Sequence, residues 1–113
     1  DFRDYVKGPI PHVDIVLIDV SFISIREILA PLAHTVSPST IIVAMVKPQF
    51  ETGDHAKHKG VIKNESMRRS ILKEFEGWTK EYYQILNKAD SKVSGQRGNT
   101  ERFYLLRVMK PLH

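Results

Sequence analysis

Two stretches, VDIVLI at 13–18 and IIVAMV at 41–46, are nearly continuous runs of apolar, largely β-branched residues. A strand with one wet face alternates apolar and polar residues; runs without that alternation read as strands buried on both faces, as in a parallel sheet. Between them Ile25, Ile28, Leu29 and Leu32 fall on one face of a helix, and Ser24 with Glu27 has capping-box spacing. Pro31 and Pro38 make that helix short or irregular. Strand, helix and strand in this order form a crossover unit, the seed of an α/β sheet.

The remainder extends the same architecture. Residues 51–63 are polar, hold two glycines and read as a loop. Met67, Ile71, Phe75 and Trp78 then recur at helical spacing, with Asn64 as the cap and Gly77 weakening or ending the helix. A moderate strand follows over 82–86, a loop over 91–99 and a last strand over 102–109. Trp78 reads as core, and Tyr82 and Tyr83 as strand residues with one ring buried. None of the six glycines forms a G-x-G turn of the kind that cradles a nucleotide. Either the sheet binds no nucleotide, or its first half lies outside this sequence.

Composition narrows the partners. The 113 residues fit one domain, and a net charge of +4 favours anionic partners. That charge is polarised: residues 47–73 hold seven Lys/Arg against three Asp/Glu, and residues 88–110 six against two. The absence of cysteine excludes disulfides, thiolate metal sites and a cysteine nucleophile, and suits a reducing compartment. No apolar run approaches the ~20 residues of a membrane span. His55 and His58 have H-x-x-H spacing, but in a lysine-rich loop without further ligands they do not argue for a metal.

Ligands of open α/β sheets bind beyond the carboxyl ends of the strands. Asp19 ends the first buried run and Lys47 the second. Neighbouring parallel strands lie about 4.8 Å apart, so both side chains reach one site. Either residue alone also has a bland reading, since an aspartate after a strand is a common turn former. GQRGNTE at 95–101 is the third element; it reads as a turn, with Glu101 in a surface salt bridge, or as a glycine loop approaching a ligand. Ser21 has no histidine at a spacing that suggests a hydrolase triad.

Together, IDVSFIS (18–24), VKPQFETG (46–53) and GQRGNTE (95–101), in this order, resemble the TlyA/hemolysin-A-like branch of the FtsJ-like RNA methyltransferases. HKGVIKN (58–64) is similar to that branch's KGGVVRD segment, whereas Ser91-Lys92 departs from its usual Ser-Pro. The resemblance implies a partial Rossmann-like sheet, strands four to seven with the last antiparallel, flanked by helices. It implies an S-adenosylmethionine-dependent transfer of methyl to a ribose 2′-hydroxyl of ribosomal RNA, in the cytoplasm, without metal or membrane. Of the family's Lys–Asp–Lys–Glu tetrad, the last three fall on Asp19, Lys47 and Glu101. The first lysine, the glycine-rich cofactor loop and a small RNA-binding domain are expected upstream of residue 1, which makes this the carboxy-terminal half of a catalytic domain. Asp1 and Phe2, in an opening similar to the family's adenine-contacting segment, and Asp19 are implied cofactor contacts. Lys59, Lys63, Lys92, Arg97 and Arg102 are candidate phosphate contacts. The alternatives are a non-catalytic RNA-binding module and a membrane-active hemolysin, the latter disfavoured by the lack of an amphipathic basic helix.

Overall fold

A computed structural model describes residues 15–51, 65–91 and 100–109. In chain order the elements are β1 (Ile15–Ile18), α1 (Arg26–Leu32), β2 (Ile41–Val46), a 3₁₀ turn (Pro48–Phe50), α2 (Glu65–Thr79), β3 (Tyr83–Asp90) and β4 (Arg102–Val108). The strands form one sheet in the order β1-β2-β4-β3. β1 and β2 pair in parallel, with Ile18 opposite Ala44, as the two apolar runs predict, but β1 is the end strand of the described sheet and its Ile15 and Leu17 are exposed rather than buried on both faces. β4 is antiparallel to both of its neighbours, as expected for the last strand.

Strand periodicity explains where the core lies. Ile18, Ile42, Ala44, Val46, Tyr104, Leu106 and Val108 share a face and meet Ile25, Ile28, Leu29 and Leu32 around α1 and Leu72 and Phe75 of α2 in one buried cluster. Tyr83 belongs to the same cluster, and its hydroxyl donates to the Leu29 carbonyl at 2.6 Å, fastening β3 to α1. Burial pushes that phenol's pKa up, so the bond is made by the neutral hydroxyl.

Three expectations are revised. The deepest residues of α2 are Arg68, Leu72, Phe75 and Thr79; Met67, Ile71 and Trp78 are half-buried, so the inner stripe is turned by one position. The sequence pattern misleads because Arg68 and Thr79 are polar residues buried with their bonds made, Thr79 donating to the Phe75 carbonyl at 2.8 Å. Gly77 does not end the helix. It lies on an exposed turn with nothing near its missing Cβ, while Phe75 and Thr79 on either side are anchored. Finally, β3 runs on to Asp90 through polar residues, because it is an edge strand whose Lys88 and Asp90 are held by charges on α2 and β4.

Candidate active site

The ends of β1 and β2 bring the predicted pair together. The Lys47 ammonium lies 2.7 Å from Asp19 Oδ1 and donates to Ser21 Oγ at 2.8 Å. The lysine side chain is 12% exposed and the aspartate 53%, so the cation is sheltered while the carboxylate faces open space. Pro48 accounts for the placement. A residue preceding proline is kept out of the helical region, and Lys47 is extended at φ −109° and ψ 103° as the backbone enters the 3₁₀ turn. That turn is buried at Pro48 and Gln49, and the Gln49 amide has no hydrogen-bond partner among the described residues.

The segment after β1 has its own constraint. Phe22 has a φ of 69°, in the left-handed region that bulky L-residues avoid, and the residue is 72% exposed. Its ring packs 5.2 Å from that of Phe50, across the site. Two residues on, Ser24 donates to Glu51 Oε1 at 2.6 Å, and the Ile25 N–H donates to Oε2 at 2.8 Å. At the start of α1 the expected partner of Ser24 was Glu27; the carboxylate seen on its hydroxyl is Glu51, while the same oxygen accepts the Arg26 N–H at 3.1 Å. The Glu51 side chain is 1% exposed, and burial pushes its pKa up against the opposing effects of Ser24, Ile25 and Arg26. Arg26 Nε stands 3.3 Å from Glu51, at ion-pair rather than hydrogen-bond geometry, and its guanidinium lies over the rings of Phe75 and Trp78 at 5.7 and 5.5 Å.

Glu101 reaches the same edge from the opposite chain direction. Val46 pairs with Arg102, so one step further along the register Lys47 and Glu101 stand across from each other. Glu101 is 8% exposed, and its carbonyl accepts the Ser91 N–H at 2.8 Å, closing the base of the loop that holds GQRGNTE. Arg68 braces this base from α2, bonding the Thr100 carbonyl at 3.3 Å, Glu65 at 3.2 Å and Asp90 at 2.5 Å.

Arg102 is placed differently from the other candidates. Its Nε bonds Asp90 at 2.9 Å and its Nη1 lies 3.4 Å from Glu76, so it is enclosed in a charge cluster with Lys88 and the Tyr104 hydroxyl, not presented outward as a phosphate contact. Asp1, Phe2, Lys59, Lys63, Lys92 and Arg97 lie outside the described residues, as do His55 and His58. The sequence offers Ser21 only as a hydrolase nucleophile without a histidine, and local chemistry does not single out Phe22 or Glu51; all three sit inside the motifs IDVSFIS and VKPQFETG, so the signal is present there. Arg68 had no such signal.

Among the described residues no helix is long and apolar enough to cross a membrane, and no group of three metal-ligating side chains occurs.

The 16S/23S rRNA (cytidine-2′-O)-methyltransferase TlyA of Mycobacterium tuberculosis is 35% identical over 99 residues, which cover 86% of this chain and 37% of that protein. The 23S rRNA (cytidine-2′-O)-methyltransferase TlyA of Campylobacter jejuni is 32% identical over 99 residues, covering 80% and 36%. A solved structure carrying the name hemolysin, from Streptococcus thermophilus, superposes with a TM-score of 0.80 at 29% identity, over 96% of this chain and 40% of that one. The chain thus spans little more than a third of the curated relatives' length. The model of the FtsJ-like methyltransferase family matches residues 1–108, nearly the whole sequence, and the chain belongs to that family.

Proposed function

We propose that this chain carries the acceptor half of a ribosomal RNA ribose 2′-O-methyltransferase site, with Asp19, Lys47 and Glu101 as its catalytic residues. The observation that carries the reading is the Lys47 ammonium. It has three N–H donors, and Asp19 and Ser21 engage two of them. The remaining N–H serves the oxygen of an incoming hydroxyl. A ribose hydroxyl is a poor nucleophile at neutral pH, and a fixed cation beside it favours the negative charge that develops as it attacks. Asp19 orients the ammonium, and the proton of the hydroxyl is lost to water as the new bond forms. Glu101, across from Lys47, holds the lysine or the sugar.

The family generally uses S-adenosylmethionine, and the residues present fit one end of it: the half-exposed Asp19 carboxylate beside Lys47 suits a ligand's ammonium group. When bound, that cofactor supplies a methyl group on a positively charged sulfur. Asp1 and Phe2 are assigned to its adenine end on the family resemblance. Phe22, exposed and held in a left-handed turn next to Lys47, offers its ring face to the acceptor base. Lys59, Lys63, Lys92 and Arg97 are assigned to phosphates, which would make binding salt-dependent. Much of the rate enhancement in such a site comes from holding the two reactants in line.

The test is methylation of ribosomal RNA by the full-length gene product with labelled cofactor, mapping the product as an alkali-resistant ribose. Lys47→Ala should abolish the transfer. Transfer at the wild-type rate by that variant would sink the assignment.

A further inference from the structure

The loop after β1 and the turn after β2 are tied together by five contacts. Asp19 and Ser21 hold Lys47, the Phe22 ring meets Phe50, and Ser24 and the Ile25 N–H hold Glu51. The ties run in step along the two segments, from the exposed edge of the sheet inwards to the start of α1. They differ greatly in strength. The Asp19–Lys47 pair stands at the open end, with the aspartate half exposed, and ion pairs of that kind hold their geometry weakly. The Glu51 carboxylate is almost wholly buried and accepts two hydrogen bonds, one of them from backbone, so it is far less free to move. Between them lies Phe22, whose left-handed backbone persists only if the segment is pinned on both sides.

We propose that Glu51 is a positioning residue that fixes the Asp19–Lys47 geometry from the closed end of this ladder, without touching substrate or cofactor. Arg26, stacked over Phe75 and Trp78, backs the carboxylate and so anchors the ladder to the helical layer. The chemical consequence rests on the proposed function above: if Lys47 must meet a hydroxyl oxygen, a small displacement of its ammonium costs rate and leaves binding intact. The structural consequence does not depend on that reading.

The test therefore has two arms. In the first, the accessibility of Lys47 is read by acylation with an amine-reactive anhydride and peptide mass spectrometry, with exposed Lys80 as internal reference. Wild-type Lys47, held by two partners, should label slowly. Glu51→Ala should bring its rate towards that of Lys80, and Glu51→Gln should keep it near wild type, since the amide can accept from Ile25 and donate to Ser24. Should Glu51→Ala fail to fold, Ser24→Ala, which removes one tie only, should still raise labelling of Lys47. In the second arm, methyl transfer by full-length Glu51→Ala should fall about 100-fold in kcat with little change in KM, the scale expected of a misplaced reacting group, and Glu51→Gln should restore most of it. Unchanged Lys47 labelling in both Glu51→Ala and Ser24→Ala, or unchanged kcat in Glu51→Ala, overturns the proposal. Raised labelling in a protein whose wild type transfers no methyl group upholds the ladder and refutes the methyltransferase reading.

Discussion

Replacing Arg68 with methionine separates the interactions that hold the Glu101 loop from those that merely decorate it. Arg68 has a 6% exposed side chain and reaches three partners, but Glu65 and Asp90 are 62% and 45% exposed. Each of those ion pairs is therefore worth about 0–1 kcal/mol after solvent screening and side-chain ordering. The bond from Nε to the Thr100 carbonyl is different, because a charged donor to a half-buried backbone acceptor contributes ~1.5–3 kcal/mol. Methionine retains most of the apolar stem that Arg68 buries on the inner side of α2. Arg68→Met should thus cost about 2–3 kcal/mol, nearly all of it from the carbonyl. With a urea slope of roughly 1–3 kcal/mol per molar for a protein of this size, the unfolding midpoint falls by about 0.7–3 M. Asp90→Asn, which removes only exposed ion pairs to Arg68 and Arg102, should cost less than half as much. If the two variants lose equal stability, or Arg68→Met loses less than about 0.5 kcal/mol, the half-buried carbonyl does not dominate.

Stability should respond to pH through Glu51 in one direction and through Asp90 and Glu76 in the other. Glu51 has its pKa raised above the ordinary 4.5 chiefly by burial, so the wild type should lose stability relative to Glu51→Gln as pH rises from about that value through the folded pKa, which paired urea curves across pH would detect. Asp90, lowered chiefly by its bond from Arg102, and Glu76, where bonds from Tyr104 and Lys88 outweigh burial, contribute stability above their ordinary values of 3.8 and 4.5 that is lost as pH falls through their folded pKa values. Phe22→Gly relieves a left-handed residue, worth ~1–2 kcal/mol, and adds backbone entropy to the unfolded chain, costing about 0.5–1 kcal/mol. With the residue 72% exposed, stability should stay within about 1 kcal/mol of wild type while methyl transfer falls. A loss above about 2 kcal/mol in thermal or urea unfolding would mark Phe22 as a packing residue instead.

The parts legible in the sequence are those where local pattern and tertiary environment agree. β1 and β2 stand out as unbroken apolar runs, although only β2 is covered along its length and Ile15 and Leu17 of β1 are exposed, and a polar residue ending each run points to Asp19 and Lys47. Glu101 was legible only through its motif, because its place opposite Lys47 depends on the register of β4. What went unread depends on partners distant in sequence. Nothing around Glu51 says that its carboxylate is buried; that follows from Ser24 and Ile25, more than 20 residues earlier. Arg68 looks like one more charge on an exposed helix face until Thr100 and Asp90 are set beside it. Arg102 looked available to phosphate for the converse reason, since its partners Asp90 and Glu76 come from other elements.

The reversed direction of β4 links the fold to the chemistry. In a purely parallel sheet every strand delivers its carboxyl end to the ligand edge, and β4 would bring Met109 there. Running antiparallel between β2 and β3, it delivers its beginning, so Glu101 arrives beside Lys47. Side chains alternate along a strand, so slipping this pairing by one residue would turn Tyr104 and Leu106 out of the core while moving Glu101 away from Lys47. Burial of Tyr104 and Leu106, both 0% exposed, therefore does more than stabilise the sheet. It sets the register on which the position of the acidic residue depends, and the same core that holds the strands together aligns Asp19, Lys47 and Glu101 at one edge.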